Sequence, residues 1–306
     1  MHRFYRTALA VALAACADAR PAVAQTVDSA TAARAQACPS CAEWNAPHAP
    51  FRILGNSYYV GTNGLGSILI TSPNGHVLID GGLPESAPLI AANIRALGFR
   101  VEEVKLILNS HAHYDHAGGI AELQRLSNAR VAASPPSARE ISRGNAEPDD
   151  PQYAIALAYP PVQRIEVFHD GDTLRVGSLA VVAHLTGGHT PGGTTWSWRA
   201  CEGSRCANVV YADSFTPVSA DDFLFTRNTN YPRVLDDFAH SFAVLETLPC
   251  DLLLTPHPGA SQLWKRLAAR DAGDATALLA PGQCPAYAAN GRRAVAARVE
   301  KEHAKR

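Results

Sequence analysis

The sequence lacks several features that would place it in a large class of proteins. After the N-terminal segment it has no apolar run of the ~20 residues that a membrane span requires. Lysine and arginine (27) balance aspartate and glutamate (28), and the formal net charge of −1 provides no basic surface for nucleic acid. It contains neither G-x-S-x-G nor S-x-x-K, two motifs that carry a nucleophilic serine. These absences argue against a membrane-spanning protein, a nucleic-acid-binding protein and the corresponding serine hydrolases.

The N-terminal segment is typical of an exported protein. Residues Met1–Arg6 are short and basic, Thr7–Ala15 are apolar but too few to span a bilayer, and Ala22–Ala24 form an A-x-A cleavage site. We therefore predict a signal peptide over residues 1–24 and a periplasmic mature chain. Alternatively, Leu13–Cys16 resembles a bacterial lipobox, which would make Cys16 a lipid anchor at the membrane.

Cysteine usage agrees with export, because disulfides persist in oxidising compartments. With Cys16 set aside, six of the seven cysteines remain, and six allow fifteen pairings. Local spacing favours three disulfides: Cys38–Cys41, Cys201–Cys206 and Cys250–Cys284. Zinc binding by Cys38 and Cys41 is the alternative, but no second C-x-x-C completes such a site.

Strand and helix patterns occur in two successive halves. The first half predicts strands at Ile53–Val60, Gly66–Thr71, His76–Asp80, Val104–Asn109 and Ala129–Ala133, with helices at Pro84–Leu97 and from about Ala117 to Leu126. The second half predicts strands at Arg164–Phe168, Thr173–Val176, Leu179–Leu185, Thr194–Trp198, Val209–Tyr211 and Leu252–Leu254, with helices at Tyr231–Leu248, Ser261–Arg270 and Cys284–Lys301. Two such halves imply two sheets packed face to face with helices outside, an α+β sandwich of four layers (αββα). We predict a single domain over residues 25–306. The long polar connection Gly144–Pro161 has the length of a substrate-contacting loop.

Four potential metal ligands fall within six residues, directly after the apolar strand Val104–Asn109. They are His111, His113, Asp115 and His116, in the order H-x-H-x-D-H. Loops at the C-terminal ends of such strands commonly carry the chemistry of α/β sheets. Histidines scattered in a solvated loop are the alternative interpretation.

The number of ligands points to two metal ions. A catalytic zinc ion usually has three protein ligands and an open position for water, so four ligands overfill one site and underfill two. The second half offers two more, His189 within G-G-H-T-P-G-G and His257 within P-H-P-G. Six ligands divide into two sets of three.

These motifs and their order resemble the metallo-β-lactamase superfamily over nearly the whole mature chain. Within it, the sequence looks like a subclass B3 enzyme, on the segments Tyr58–Thr62, Val77–Gly82 and Asn109–Gly119. Ser214 in Tyr211-Ala212-Asp213-Ser214 supports that subclass, because other β-lactamase subclasses place a zinc-binding cysteine there.

The resemblance implies a fold, a site and a reaction. It implies the αββα sandwich and a first zinc ion on His111, His113 and His189. It implies a second zinc ion on Asp115, His116 and His257, and substrate contacts by Ser214, Thr216 and Gln152. Zinc-bound hydroxide, oriented by Asp115, would hydrolyse the lactam amide of penicillins, cephalosporins and carbapenems. The partner is then a small-molecule β-lactam, and we expect a monomer.

Two other functions stay open on the sequence. A glyoxalase-II-like thioesterase, lactonase or phosphodiesterase of the same superfamily would use an aspartate to bridge two metal ions, and Asp213 lies one residue from the corresponding position. An exported zinc-binding protein without turnover would instead require closed four-ligand sites.

Overall fold

The computed structural model of the chain describes Met1 and residues 38–304. The chain divides into two compact units, Met1–Cys38 and Pro39–Arg306, and all elements below belong to the second. The predicted signal peptide, its cleavage after Ala24 and the alternative anchor Cys16 lie outside the described residues.

The first sheet has seven strands in the described part of the chain, in sequence order β1 to β7. Strands β1 to β4 are antiparallel, and β4 to β7 run parallel. The strands are β1 Phe51–Leu54, β2 Ser57–Tyr59, β3 Ile68–Ile70, β4 His76–Ile79, β5 Val104–Leu108, β6 Arg130–Ala133 and β7 Ile165–Val167. The predicted strand Ile53–Val60 is wrong as a single element. Gly55 turns it into a hairpin with φ +53°, a value that glycine adopts without steric cost.

The second sheet has five strands within residues 38–304, in the order β12-β11-β10-β9-β8. Only the β11–β12 pair is parallel. The strands are β8 Thr173–Val176, β9 Leu179–Leu185, β10 Thr194–Glu202, β11 Arg205–Tyr211 and β12 Leu252–Leu254. Strands β10 and β11 extend beyond their predicted bounds and form a hairpin whose end is closed by the disulfide Cys201–Cys206.

Helices flank these sheets along the chain. They are α1 Cys41–Trp44, α2 Ala87–Ala96, α3 Tyr114–Ala117, α4 Ile120–Ser127, α5 Pro135–Arg143, α6 Val234–Thr247, α7 Leu263–Asp271 and α8 Gln283–Ala304, with short 3₁₀ turns at Pro84–Ser86, Val101–Glu103, Tyr153–Ile155 and Pro258–Ser261. The expected helix start near Ala117 is wrong, because Tyr114 already begins a helical turn. Helix α5 begins with Pro135 and Pro136, which suit a first turn, and was not predicted.

The core lies between the two sheets. Leu106 and Leu108 of β5 share one buried cluster with Trp196 of β10 and Val209 of β11, each at most 2% exposed. Burial of one such side chain contributes about 1.5–3 kcal/mol. This packing confirms the predicted sandwich of two sheets. Among the described residues, none of the helices has the length and hydropathy of a membrane span.

Two predicted disulfides are present, Cys201–Cys206 and Cys250–Cys284. Cys38 and Cys41 are disulfide-bonded as well, which leaves no thiolate there for a metal. Their pairing with each other stays a prediction.

Candidate metal centre

Loops from both sheets meet at one edge of the sandwich. His111 follows the end of β5 by three residues, and His257 follows the end of β12 by three residues. The β9–β10 loop, which carries His189, is tied to the His111 loop because the Thr194 amide donates to the Ser110 carbonyl at 2.7 Å. The local fold therefore brings strand-end residues from three separate parts of the chain together.

The predicted ligands form two groups. One ligand atom from each of His111, His113 and His189 lies within 4.8 Å of the others, and the same limit holds for His111, Asp115 and His116. All five side chains are buried in whole or large part. His111 belongs to both groups and is fully buried.

His257 joins the cluster through Asp115. Its Nε2 lies 3.3 Å from Asp115 Oδ2, and its ring centroid lies 4.9 Å from that of His116. His116 Nε2 lies 3.1 Å from the same carboxylate oxygen. Asp115 thus stands between two imidazoles, and all six predicted ligands converge.

Four of the histidines have one ring nitrogen held from outside the cluster. The partner atoms are a carboxylate or a backbone carbonyl: Asp213 for His111 (2.7 Å), Asp150 for His113 (3.1 Å), the Thr216 carbonyl for His189 (2.7 Å) and the Gly64 carbonyl for His257 (3.2 Å). Histidines that bind metals commonly donate their second N–H to such groups, which fixes the tautomer and the ring orientation. The other nitrogen of His111 is buried without a hydrogen-bond partner, and that of His257 lies beside Asp115.

The centre fits a metal ion. His111 Nδ1 is bonded to Asp213, while Nε2 of the same ring is buried without a hydrogen-bond partner. Buried polar atoms are almost always paired, so this nitrogen requires a partner of another kind. Burial and the neighbouring imidazoles hold the pKa of His111 well below its usual value, and burial lowers the pKa of His189 to about 3. Both rings are therefore neutral at pH 7, the form that binds a metal.

Asp115 carries the negative charge of the centre. Burial alone would raise the pKa of its carboxyl, but His116 and His257 outweigh burial and bring that pKa well below the usual range. Imidazole nitrogens together with one carboxylate form a donor set that suits Zn²⁺.

Asp80 holds the His111 loop in place through hydrogen bonds. Its carboxylate accepts hydrogen bonds from the Ser110 amide (2.7 Å), the Ser110 hydroxyl (2.7 Å) and the Tyr211 hydroxyl (2.8 Å). Asp80 has φ +63°, a left-handed conformation that is uncommon outside glycine. Asp80, which follows β4, thus links that strand by hydrogen bonds to Ser110 after β5 and to Tyr211 of β11.

The three predicted substrate-contact residues lie close to the cluster. Gln152 Nε2 is 3.4 Å from His113 Nδ1, and Thr216 is exposed with its hydroxyl 3.4 Å from His189 Nδ1. Ser214 is 6% exposed and follows the His111 partner Asp213 directly in the chain. Contact of these residues with a substrate stays a prediction.

The sequence did not identify Asp150 and misjudged Asp213. Asp150 lies in the long central connection, and Asp213 was considered only as a bridging ligand. In the structure Asp213 stands behind His111, and a Cβ at Gly193 would lie 2.3 Å from its second oxygen, so glycine is required there. The available signal was that a metal-binding histidine needs a hydrogen-bond acceptor for its second ring N–H. That signal does not say which acidic residue accepts from which ring.

We expect Asp213→Asn to weaken zinc binding about 10- to 100-fold, since outer partners of metal-binding histidines contribute that much. The substitution removes the charge that would make His111 a stronger metal ligand and fix its tautomer. Chelator competition measures the affinity, with Asp251→Asn as a control, because Asp251 bonds the distant Asn208. Unchanged affinity would contradict the role of Asp213, and loss of a whole metal equivalent would support it as a direct ligand.

Comparison with known proteins relates this geometry to known families. A family model described as the metallo-beta-lactamase superfamily matches residues 66–282. The structure of Rm3 metallo-beta-lactamase is 56% identical, covers 87% of this chain and 99% of its own chain, and superimposes with a TM-score of 0.86. MEM-A1, a subclass B3 metallo-beta-lactamase isolated from a soil metagenome library, is 44% identical over 86% of this chain and 100% of its own, with a TM-score of 0.84.

Curated relatives match a shorter stretch. Hydroxyacylglutathione hydrolase of Rhodopseudomonas palustris (strain BisB18) is 36% identical over 107 residues, which is 35% of this chain and 32% of that protein. The chain thus spans between about a third and about half of the length of the curated relatives it matches.

Proposed function

Because the chain belongs to the metallo-beta-lactamase superfamily, we propose that it is a zinc-dependent β-lactamase of the B3 type. It hydrolyses the lactam amide bond of penicillins, cephalosporins and carbapenems, adding water across the C–N bond, and so confers antibiotic resistance. The carrying observation is similarity at 56% identity to a metallo-beta-lactamase along almost its full length. Convergence of six histidine and aspartate side chains supports the same conclusion.

Two Zn²⁺ ions would divide these ligands. His111, His113 and His189 would hold the first ion, and Asp115, His116 and His257 would hold the second. When bound, such a metal pair lowers the pKa of water towards neutrality and polarises the carbonyl under attack. The first set is one of the two compact groups, and the second is supported by the Asp115 contacts to both of its imidazoles.

The remaining roles fall to side chains around this centre. Asp115 would orient the attacking water, because its carboxylate is ionised and belongs to the second group, beside His116 and His257. Thr216 and Ser214 would contact the substrate carboxylate, and Gln152 beside His113 would line the cleft. Asp213 and Asp150 would hold the first two imidazoles in their binding tautomers.

A glyoxalase-II-like thioesterase is the second candidate, supported by the curated relatives. That reaction type would use an aspartate between the two metal ions. Asp213 Oδ1 instead accepts from the outer nitrogen of His111 at 2.7 Å, so the carboxylate lies behind the ligand. This geometry favours the lactamase.

We further propose that the catalytic unit is one domain over residues 25–306, exported to the periplasm as a monomer with residues 1–24 removed. The disulfides Cys201–Cys206 and Cys250–Cys284 support an oxidising compartment. Anchoring through Cys16 is the alternative form of the same export.

A chelation experiment tests the function. We expect the purified zinc-loaded protein to hydrolyse a carbapenem, to lose at least about 100-fold in rate with a strong chelator, and to recover when zinc is restored. Absorbance of the β-lactam ring reports the rate. Turnover that chelation leaves unchanged would refute the metal mechanism. A zinc-loaded protein that does not hydrolyse the carbapenem but cleaves hydroxyacylglutathione would establish the second candidate.

A further inference from the structure

One long connection, residues 212–233 between β11 and α6, passes over the metal centre; we name it the site loop. It contains neither helix nor strand. Connections longer than ~12–15 residues without secondary structure are uncommon in compact domains and are usually functional. Something must therefore fix the path of the site loop.

The site loop meets the centre at two points. The carbonyl of Thr216 accepts from His189 Nδ1 at 2.7 Å, so the loop backbone holds one of the clustered imidazoles. The Ala220 amide donates to the Pro151 carbonyl at 2.9 Å, next to Gln152. Its path thus sets both Thr216 and the loop that carries Gln152.

The far side of the site loop is bonded to the last turns of α8. Glu302 is 5% exposed, and its carboxylate accepts from the amides of Phe225 (3.1 Å) and Thr226 (3.0 Å). The Thr226 hydroxyl donates to it at 2.9 Å. A buried carboxylate thus provides the hydrogen-bond acceptors for two consecutive amides of a segment that has no ladder of its own.

Arg298 completes the attachment one helical turn earlier. Its Nε donates to Glu302 at 2.8 Å, and its Nη2 donates to the Ser219 hydroxyl at 2.9 Å and to the Phe223 carbonyl at 3.0 Å. The guanidinium also lies 5.1 Å from the centre of the Phe225 ring. The pair therefore holds the site loop over the span from Ser219 to Thr226.

We propose that Arg298 and Glu302 are positioning residues for substrate binding: they hold the site loop in the conformation that meets the β-lactam. This inference rests on the proposed lactamase function. Buried Phe215, Phe225 and Tyr231 keep the loop attached without the pair, so its loss loosens the path rather than unfolding the segment. A loop that becomes ordered only when the substrate binds loses conformational entropy at that step, which weakens binding. A loop that is already ordered avoids this loss. The clustered imidazoles keep their places, because the Thr216 carbonyl that holds His189 lies outside the span from Ser219 to Thr226 that the pair binds.

The experiment compares Glu302→Ala with Glu300→Ala in the zinc-loaded full chain. Glu300 is exposed on the same helix, so it controls for loss of a carboxylate there. We expect Glu302→Ala to raise KM for a carbapenem about tenfold with kcat within about twofold of the wild type, the signature of lost uniform binding. Zinc content should stay unchanged, and amide exchange at residues 225 and 226 should become faster. Glu302→Gln, which keeps one acceptor oxygen, should recover part of the KM.

Four outcomes decide the matter. The KM increase together with faster exchange supports the proposal, and faster exchange with an unchanged KM overturns it in favour of a purely structural anchor. A KM and amide exchange rates equal to those of Glu300→Ala also overturn the proposal. A wild-type protein that binds zinc but leaves β-lactams intact refutes the function itself, and the positioning role with it. If Glu302→Ala does not fold, Arg298→Met replaces it with KM as the deciding readout, because it removes the bonds to Ser219 and Phe223 and leaves the Glu302–backbone bonds. An unchanged KM in Arg298→Met overturns the proposal.

Discussion

Replacing His111 by alanine is expected to reduce kcat/KM for β-lactams by about a thousandfold or more. His111 is the one residue that belongs to both compact ligand groups found in the described part of the chain. Its removal empties a position in the first set and leaves the buried carboxylate of Asp213 without its 2.7 Å partner. The measurement is the steady-state rate, combined with metal analysis of the purified variant.

Two further variants test the specificity of this prediction. His184→Ala removes a histidine that bonds Ser197 within the second sheet, so it should retain full activity. His257→Ala should lose mainly the second zinc equivalent, because His257 contacts the cluster only through Asp115 and His116. A His111→Ala protein that retains both zinc equivalents and its activity would contradict the proposed ligand set.

Asp115→Asn has the second largest expected effect, a loss in kcat of about 100- to 10,000-fold, the range seen when a positioned acid or base is removed. Asparagine keeps the shape but not the charge. The carboxylate lies 3.1 Å from His116 and 3.3 Å from His257, so its charge holds both imidazoles as well as the proposed water. Because the effect concerns the chemical step, kcat should fall more than KM rises.

Asp149→Asn is the matched control, since Asp149 lies near the site but pairs with Arg139 at 3.1 Å. We expect it to alter kcat by less than about threefold, as surface ion pairs contribute little. Equal losses in the two variants would mean that overall charge near the centre, and not the position of Asp115, controls the rate. Metal analysis of Asp115→Asn then separates loss of the second zinc ion from loss of orientation.

The sequence by itself identified the six candidate ligands and their division among strand ends. His111, Asp115 and His116 lie within six residues of each other after a buried strand, so their proximity is fixed locally by chain connectivity. His189 and His257 could be added because each sits in a glycine- or proline-marked loop directly after a strand, and strand ends of packed sheets share an edge. The sandwich itself followed from two successive halves of strand and helix patterns, because each sheet must bury a face against another layer.

Only the tertiary structure decided what holds these ligands. Asp213 reaches His111 across 102 residues, Asp150 reaches His113 across 37, and Glu302 reaches Thr226 across 76. Local pattern carries no information about such pairs, because an acidic residue in a loop looks the same whether it binds a metal, orients an imidazole or faces solvent. Packing of the two sheets and α8 selects among these roles by burying each carboxylate beside one particular donor.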